Sequence, residues 1–576
     1  MRGEGVEGCY ALAMSWSAER RSLLGLAGLL VGLVLITYLP AYGAGFVWDD
    51  DYYVFANPTL RDWAGLASIW VDPFATPQYY PLVHTSFWLE YRLVGPSPHL
   101  YHFTNVVLHG ANAVLLWRIL VRLAVPGAWA VAVVFALHPV QVESVAWITE
   151  RKNVLSTLFY LWAALTYLRF AALADGGTVD RRLLAGTWLL YVAALLSKSV
   201  TASLPAALLL VLWWKRGTWL RRDWVTLAPM LLAGAAAGLL TVWLEREHVL
   251  ARGPEWDFSL VDRSLIAGRA LWFYASKLVW PQDLAFIYPR WAIDPGAVWQ
   301  YLYPLAALAL IAALFALRGR IGRGPLTAVL FYAGTLFPAL GFFNIYPMRY
   351  SFVANHFQYL ACVGLIVLFV APVAGRLQRR HPGARARAVM AAPLIAVVAV
   401  LGGLSWWNAL TYADAETLWR DTLAKNPGAW MAHHNLGMEL DAEGRHDEAK
   451  AHYRAAVSLK PSHFRARHKL GRSLAREGRL DEAIAHFEAA ILLAPDERQF
   501  HSSLGEAYLR RGDFADAEKS LRRVLKAPFE HAGTQVKLAR ALIGQGRVDE
   551  ARAALQEALR IEPGHAGATA LSMEIR

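Results

Sequence analysis

Long apolar runs, separated by short basic turns, dominate the chain as far as about residue 407. A helix needs about 20 apolar residues to cross the hydrocarbon core of a bilayer. The segment from Leu265 to Trp280 is apolar but carries two cations, and it reads better as an interfacial helix on the outer face. We predict about eleven spans, at residues 22–41, 101–122, 128–146, 153–173, 183–199, 201–214, 224–243, 299–317, 325–343, 357–374 and 389–407.

The basic residues fix the sides of the membrane. Arg20 and Arg21 precede the first span, which favours a cytoplasmic N-terminal tail over residues 1–21. That span could be a cleaved signal peptide, but its apolar stretch is long for one, and we interpret it as an anchor. With the N-terminus inside, all five turns that return to the cytoplasm carry clusters of Arg or Lys. An odd number of spans then puts the C-terminal domain in the periplasm or an ER-like lumen.

From Asp414 onward the composition changes to charged residues, and the sequence repeats with a period of 34 residues. The residues in register are Gly437, Gly471, Gly505 and Ala539, then Gly444, Gly478, Gly512 and Gly546, with prolines closing successive units at 427, 461, 495 and 563 and Pro528 one residue early. Small residues let paired helices approach closely, and each pair has an apolar face that only its neighbour can bury. We therefore predict a tetratricopeptide (TPR) solenoid within residues 411–576, with about four repeats over 427–563. Such stacks bind peptides or partner proteins, and the alternative is a rigid lid over the membrane domain.

Composition excludes several other classes of protein. The net charge is +12, but many of the arginines lie beside apolar spans, where they set topology, so we do not expect nucleic-acid binding. Cys9 lies in the tail and Cys362 in an apolar run, which makes a disulfide between them implausible. The sequence has no CxxC pair, zinc-ligand spacing, Gly-rich nucleotide loop or GxSxG motif.

Three adjacent carboxylates, Asp49, Asp50 and Asp51, follow the first span in the outer loop at 42–100. They need a cation, a metal or water if all three are to stay ionised. One interpretation is a general base, with a divalent cation as one form of support. The other is a solvated acidic turn, and the motif alone does not separate the two.

A second polar group lies at the outer end of the third span. His138 precedes a proline, and Glu143 follows five residues later, so a helix broken at Pro139 would place the two together. Arg151 and Lys152 come next and are candidates for binding phosphate, although interfacial snorkelling explains them as well.

Further cations gather on the same outer side. Lys198 lies between two apolar runs, and Arg349 and His356 precede the tenth span. Each is a candidate phosphate ligand, with ordinary interfacial anchoring as the alternative. The outer loop adds aromatic and polar residues suited to a sugar or lipid headgroup, or to an interfacial belt: Gln78, Tyr79, Tyr80, His84 and His99.

Several of these stretches resemble the transmembrane and TPR repeat-containing (TMTC) proteins and their bacterial relatives. The matching stretches are FVWDDDYYVFANP, YYPLVHTSFWLEYRL, HLYHFTNVVLHGANAVLLW, LHPVQVESVAWITERKNVLSTLFYL and LLSKSVTASLP. The resemblance implies a GT-C glycosyltransferase fold over 22–410, in which an acidic pair in the first outer loop serves the acceptor. Carried over, that pair is Asp49 and Asp50. Relatives show an acidic-Arg-Tyr stretch before a late span, whereas this sequence has Asn355 and His356 there.

Together these features predict an all-α membrane glycosyltransferase that moves a mannose-like sugar from a polyprenyl-phosphate donor to a protein hydroxyl. Asp49 and Asp50 are the catalytic candidates, with support from Asp51, His138 and Glu143. The phosphate ligands would be Arg151, Lys152, Lys198, Arg349 and His356. The alternatives are a non-catalytic TPR scaffold and a lipid-linked glycan ligase or flippase.

The topology can be tested with reporter fusions. We expect a fusion placed after residue 410 to be active only if the reporter works outside the cytoplasm, because all five basic turns favour that orientation. A fusion at the same position that is active only in the cytoplasm would overturn the topology.

Overall fold

The computed structural model describes residues 23–172, 180–381, 384–525 and 531–575, and within these ranges it contains helices and no strands. The all-α class is confirmed. The predicted tail at 1–21 and Pro528 lie outside the described residues. The chain divides into two compact units, Met1–Asn426 and Pro427–Arg576.

The first unit is a bundle of helices. Its helices are α1 Leu23–Thr37, α2 Leu39–Tyr42, α3 Trp63–Val71, α4 Pro81–Val94, α5 Pro98–Arg122, α6 Ala128–Leu137, α7 Val142–Ala146, α8 Arg151–Phe170, α9 Arg181–Ser197, α10 Leu204–Arg216, α11 Arg221–Glu247, α12 Leu260–Val279, α13 Leu302–Ile321, α14 Gly324–Leu336, α15 Cys362–Arg380, α16 Ala384–Ala409 and α17 Ala415–Lys425. The longer connections after α2, α12 and α14 contain short 3₁₀ or π-helical turns.

Every predicted span overlaps at least one helix, and those at 22–41 and 128–146 are each divided between two helices. The helices differ in their capacity to cross a bilayer. Among the described residues, five are both long and apolar enough, and the bent pair α6 and α7 would make six. The five lie at Pro98–Arg122, Arg221–Glu247, Val298–Ile321, Cys362–Arg380 and Ala391–Tyr412. These helices make the chain an integral membrane protein, while eleven crossings stays a prediction. The segment predicted to be interfacial forms α12, which is outside these five.

The chain bends by 55° between α6 and α7. His138 caps the turn, because its Nδ1 accepts a hydrogen bond from the backbone N–H of Val140 at 3.3 Å. Its other ring nitrogen lies 2.8 Å from the carbonyl of Leu278. Pro139 cannot supply a backbone N–H to continue α6. The break predicted at Pro139 is therefore present, and it directs α7 and the start of α8 toward the polar residues described below.

Over its described residues, 427–525 and 531–575, the second unit has four helix pairs and a last helix. The pairs are α18 Trp430–Ala442 with α19 His446–Leu459, α20 Phe464–Arg476 with α21 Leu480–Leu493, α22 Arg498–Arg511 with α23 Phe514–Leu525, and α24 Ala532–Gly544 with α25 Val548–Ile561, followed by α26 Ala566–Glu574. Close packing explains the repeated glycines. A Cβ at Gly471 would lie 2.7 Å from the ring of Phe487, and Gly478 ends the turn between helices with a φ of 80°.

The helix α17 belongs to the first unit. Trp419 on α17 is 1% exposed and packs edge-on against Phe286 at 5.7 Å between ring centroids. The side chains of Lys425 and Asn426 donate hydrogen bonds to the carbonyls of Leu284 and Ile287 at 2.9 and 3.1 Å. The domain boundary predicted at 410/411 thus lies 16 residues before the division between the compact units at Asn426.

A pair of truncations tests this division. We expect a chain ending at Asn426 to remain monodisperse in detergent with a melting temperature near that of the full chain, because its spans satisfy their own backbone hydrogen bonds. A chain ending at residue 410 should melt at a lower temperature, since it loses Trp419 and both hydrogen bonds. Size-exclusion chromatography with a thermal ramp measures both. Equal melting of the two truncations would contradict the assignment of α17.

Candidate functional site

A cavity of about 270 Å³, lined by aromatic and ionisable side chains, lies in the first unit, among the segments that the sequence placed on the outer side. It is walled by the loop after α2, by residues 77–78, by α7 and the start of α8, and by the turns at 346–356. The ionisable side chains in its wall belong to Asp49, Glu143, Glu150, Lys152, His356 and tyrosines 52, 53, 346 and 350. The convergence predicted from the sequence is therefore present for part of the proposed set.

The adjacent acids have different surroundings. Asp49 is half-buried and lines the cavity. Burial raises the pKa of Asp49 to about 6, while Lys152 lowers that pKa and Glu150 raises it. A carboxyl group with this pKa can accept a proton near neutral pH. Asp51 is exposed, outside the cavity wall formed by the described residues.

Asp50 forms hydrogen bonds with two segments of the chain. It is fully buried, and one carboxylate oxygen accepts hydrogen bonds from the backbone N–H of Thr149 at 2.9 Å and from its hydroxyl at 2.5 Å. The other oxygen accepts from the N–H of Val47 at 2.9 Å. Burial raises the pKa of Asp50 to about 7, against these three hydrogen bonds, which lower it. These contacts fix the acidic loop to the segment that precedes α8.

Trp48 holds the same loop from its other side. Its backbone is in the left-handed region, with a φ of 47°, which is uncommon for a bulky residue. The indole stacks on Trp147 at 5.4 Å with an interplanar angle of 19°, and Phe286 packs edge-on against both rings. Backbone strain of this kind persists where surrounding contacts enforce it, and it clusters at functional sites. The stacked indoles also give the cavity an aromatic wall.

Glu150 is the centre of a buried charge cluster. Its side chain is 1% exposed and lies 3.0 Å from Lys152 Nζ, 3.5 Å from Lys198 Nζ and 3.9 Å from His356 Nε2. Burial raises the pKa of Glu150, but the charges of His356, Lys152 and Lys198 outweigh burial and lower it to about 2. Lys198 also donates to Asn153 Oδ1 at 2.7 Å. Glu150 thus stays ionised and gathers cations beside the cavity.

Glu143 and His356 form a second pair in the cavity wall. The Nδ1 atom of His356 bonds to one carboxylate oxygen of Glu143. Since His356 also faces Glu150, its imidazole links the two carboxylates. His138 does not join them, because both of its ring nitrogens bond to backbone groups. Glu143 thus has His356 as its partner, and the predicted support from His138 stays a prediction.

Arg151 points away from the cavity, and the structure does not support it as a phosphate ligand. It is fully buried and pairs with Glu90 Oε1 at 3.1 Å. Other guanidinium N–H groups donate to the Tyr101 carbonyl at 2.8 Å, to Ser86 Oγ at 3.2 Å and to Asn105 Oδ1. Its donors are used internally, so Arg151 fixes the start of α8 against α4 and α5.

Arg349 lies behind the cavity wall. Its Nε is 3.1 Å from Glu255 Oε2, and NH1 donates to the Tyr346 hydroxyl at 3.0 Å. Tyr346 and Tyr350 line the cavity, and both rings lie within 5.5 Å of the Arg349 guanidinium. Arg349 therefore supports two wall residues.

Among the aromatic and polar residues of the outer loop, Gln78 reaches the cavity. It accepts a hydrogen bond from the Tyr53 hydroxyl at 2.9 Å and donates to Glu245 Oε1 at 3.0 Å. His84 is buried and stacks on Tyr53, and burial lowers the pKa of His84 to about 3. His99 is exposed and bonds to the Tyr42 carbonyl. Tyr79 donates to the carbonyl of Trp70, also on the exposed side of the loop.

Sequence reasoning missed three residues that organise the site. Glu150 lies in the motif LHPVQVESVAWITERKNVLSTLFYL, but its role depends on Lys198, which is 48 positions away in the chain. Glu245 sits on α11 and accepts from both Gln78 and the backbone N–H of Tyr346. The chain has many tryptophans, and no local sequence feature distinguishes Trp147 from the others. A buried acid near the end of an apolar helix was the available signal for Glu245.

No group of three or more His, Cys, Asp or Glu side chains within the described ranges is arranged to hold a metal ion.

Comparisons with known proteins agree with the two parts of the chain. A family model described as Tetratricopeptide repeat matches residues 403–464, 434–502, 468–532 and 502–566. The chain is 25% identical over 550 residues to protein O-mannosyl-transferase Tmtc1 of Drosophila melanogaster, which covers 77% of this chain and 62% of that protein. It is 34% identical over 158 residues to protein O-mannosyl-transferase TMTC1 of Mus musculus, covering 25% and 17%.

The chain is therefore similar to TMTC proteins and carries TPR repeats in its C-terminal part. The resemblance read from the sequence motifs is confirmed by these relatives. The TMTC-like chain spans less than two thirds of the length of either relative. Among solved structures, the crystal structure of YrrB, described as a TPR protein with an unusual peptide-binding site, covers 31% of this chain and 89% of its own, at 19% identity and a TM-score of 0.27.

The structural role of Arg151 can be tested by thermal unfolding. We expect Arg151→Met to lower stability by about 3–5 kcal/mol, because it leaves the Glu90 carboxylate buried without its partner. Adding Glu90→Leu should restore much of the loss, since the buried charge is removed. A single Arg151→Met variant that unfolds at the wild-type temperature would return Arg151 to the list of candidate ligands.

Proposed function

We propose that this TMTC-like protein transfers a mannose-like sugar from a polyprenyl-phosphate donor to a protein hydroxyl on the periplasmic or luminal side of the membrane. The relatives named above are called protein O-mannosyl-transferases. The observation that carries the proposal is that a carboxylate of raised pKa, Asp49, and a cation, Lys152, line one aromatic-walled cavity.

The reaction requires a base at one side of the sugar and positive charge at the other. Asp49 would accept the proton of the acceptor hydroxyl while the hydroxyl oxygen bonds to the anomeric carbon of the sugar. The bond between that carbon and the phosphate oxygen breaks, and the polyprenyl phosphate leaves with the electron pair. Lys152 and His356 would stabilise the charge on the phosphate. The indoles of Trp48 and Trp147 offer flat apolar surfaces to a sugar ring.

Glu150 would keep the cations in place before the donor arrives. Without its carboxylate, Lys152, Lys198 and His356 would repel one another in a site removed from water. Lys198 and Arg349 then act indirectly, Lys198 through Glu150 and Asn153, and Arg349 through Tyr346 and Tyr350. Asp50 would hold Asp49 in position through its bonds to Thr149.

Two other functions fit fewer of the observations. A scaffold that only recruits partners through its TPR repeats has no need of a buried charge cluster. A ligase or flippase for lipid-linked glycans would use the same phosphate-binding groups, but it would not need Asp49 as a base toward a protein hydroxyl.

We predict that Asp49→Asn lowers sugar transfer by about 10²–10⁴-fold, because an amide cannot accept the proton. The substitution is nearly isosteric, so insertion and donor binding should persist. Transfer from a polyprenyl-phosphate sugar to a periplasmic protein extract measures the loss. Asp51→Asn is the matched control and should retain activity, since Asp51 is exposed. Full activity of Asp49→Asn would remove this residue from the mechanism.

The pH profile is a separate test of Asp49. The base works when ionised, and its pKa is raised to about 6. Transfer should therefore rise by about tenfold per pH unit below that value and level off above it. A rate that stays constant from pH 5 to pH 7 would contradict a base of this pKa.

The affinity for the donor should depend more strongly on one of the three cations than on the other two. We expect Lys152→Ala to raise the donor's Kd more than Lys198→Ala or Arg349→Ala, because Lys152 lines the cavity and the other two act through neighbouring residues. Isothermal titration with a short-chain polyprenyl phosphate measures the three constants. An unchanged Kd for Lys152→Ala would rule out its contact with the phosphate.

A further inference from the structure

The first unit contains a second cavity, of about 360 Å³, whose lining is almost entirely apolar. Its walls are α5, α8, α10, α14 and α15, together with the turn between α5 and α6. Side chains of Leu, Val and Ala make up most of the surface, and no acidic residue of the described chain lines it. Ligand-binding cavities in proteins have volumes of about 300–1,000 Å³, so this space is large enough for part of a lipid. We refer to it as the apolar cavity.

The apolar cavity extends over about half the thickness of a membrane. On α10 its lining runs from Leu204 to Trp214, and a helical segment of this length rises about 15 Å. The hydrocarbon core of a bilayer is about 30 Å thick, so this depth corresponds to one leaflet. Trp214 is followed by Lys215 and Arg216, in a turn that we predict to face the cytoplasm. We refer to this end of the apolar cavity as the basic end.

Hydrogen bonds close the opposite end of the apolar cavity. The Nδ2 atom of Asn112 donates to the carbonyl of Val154 at 2.8 Å and to the hydroxyl of Tyr359 at 3.1 Å. Asn112 precedes the lining residue Leu116 on α5, and Tyr359 directly precedes the lining residue Leu360. The apolar cavity also shares no lining residue with the candidate site for sugar transfer. A ligand of the apolar cavity is therefore separate from a donor bound at that site.

Positive charge surrounds the basic end. Arg379, in the last turn of α15, lines the cavity, is exposed, and forms no ion pair with any described residue. Lys215 Nζ lies 4.1 Å from the ring centroid of Trp214, whose indole is part of the wall. Asp223 is the acid nearest to Lys215 in the sequence, but it pairs with Arg216 at 3.0 Å. Basic pockets between membrane helices on the cytoplasmic side bind anionic lipid headgroups.

A buried hydroxyl group lies one helical turn inside the basic end. Thr327 on α14 is 6% exposed and lines the cavity, and its Oγ1 makes no hydrogen bond to any described residue. Gly324 begins the same helix beside Trp214, since a Cβ at Gly324 would lie 3.3 Å from the indole Nε1. By contrast, the hydroxyl of Thr335 donates to the carbonyl of Phe331 at 2.7 Å. A buried donor without a partner is unfavourable, so Thr327 points to an acceptor that a ligand supplies.

We propose that the apolar cavity holds one acyl chain of an anionic glycerophospholipid from the leaflet predicted to face the cytoplasm. The lipid phosphate pairs with Arg379 and Lys215, and Thr327 donates a hydrogen bond to an ester carbonyl. In such a lipid the ester follows the phosphate by the few atoms of glycerol, as Thr327 follows the basic end by one turn. A polyprenyl phosphate has no ester carbonyl. This inference goes beyond sugar transfer, because lipid binding requires neither the donor nor Asp49.

The polar groups determine which lipid binds. Lipid tails are as apolar as leucine side chains, so an acyl chain gains little from leaving the bilayer for the cavity. The selectivity must therefore come from the charge pairs at the basic end and from the hydrogen bond to Thr327.

Native mass spectrometry of the delipidated full-length protein in neutral detergent measures this selectivity. The protein is titrated with phosphatidylglycerol, with phosphatidylcholine of the same chains, and with ether-linked phosphatidylglycerol, which lacks the carbonyls. We expect phosphatidylglycerol to bind about tenfold more tightly than phosphatidylcholine, because its net charge is negative. The ether-linked lipid should bind about two- to tenfold more weakly than the ester, since it cannot accept the hydrogen bond from Thr327. A protein that does not distinguish the ester phosphatidylglycerol from either analogue would overturn the proposal.

Variants at the basic end test the charge pairs. Lys215→Gln combined with Arg379→Gln should abolish the preference for phosphatidylglycerol over phosphatidylcholine. The matched control, Arg221→Gln with Arg320→Gln, removes the same charge from exposed residues that do not line the cavity, and it should bind as the wild type does. Equal losses in the two double variants would overturn the proposal. Thr327→Val should bind the ester and ether lipids equally, and a preference for the ester that survives this change would also count against it.

A larger side chain in the wall tests where the acyl chain lies. Ala207→Phe should lower the affinity for phosphatidylglycerol about tenfold or more, because the ring takes up space inside the cavity. Ala206→Phe is the matched control, since Ala206 is exposed on the same helix and outside the wall, and it should bind as the wild type does. Equal binding by these two variants would contradict the proposed position of the chain. Displacement of phosphatidylglycerol by a short-chain polyprenyl phosphate would assign the cavity to the sugar donor and overturn the proposal.

Discussion

A carboxylate removed from water has to be matched by positive charge, and Glu150 imposes this requirement on the membrane unit. Its cations come from α8, from the end of α9 and from the turn before α15, which are distant in sequence. Bringing them together requires the chain to break at Pro139 and to begin α8 at Arg151. The cavity beside Glu150 follows from that arrangement, as does the buried pairing of Arg151 with Glu90.

Residues adjacent in sequence take opposite roles at two places beside the cavity. Asp49 faces the cavity and Asp50 faces Thr149, while Lys152 faces the cavity and Arg151 faces Glu90. The sequence placed all four on the outer side, because charges at helix ends and the positive-inside pattern are local signals. The sequence alone does not tell which of the four side chains face the cavity, since the direction of each side chain depends on contacts with segments about 60 to 100 residues away. The resemblance to TMTC proteins identified the acidic pair but treated its two members alike.

The TPR unit was more predictable than the membrane unit because its contacts are local and repeated. In the 34-residue register, the glycines at 437, 471 and 505 report on packing within their own helix pairs, and those at 444, 478, 512 and 546 report on the turns between helices. The least predictable part was α17, which has the charged composition of the TPR unit but packs within the first unit. Trp419 and Asn426 attach α17 to the first unit through contacts with Phe286 and Ile287, and the sequence repeat does not predict these contacts.

Sugar transfer in the cavity is the proposal on which the interpretation of the membrane unit depends. The most direct measurement incubates the purified full-length protein with a polyprenyl-phosphate mannose and a periplasmic protein extract, and examines acceptor peptides by mass spectrometry. We expect serine or threonine residues that gain the mass of one hexose, with the released polyprenyl phosphate in equal amount. Donor that binds to the protein but yields no modified hydroxyl with any acceptor in the extract would contradict it and would favour a scaffold or a flippase.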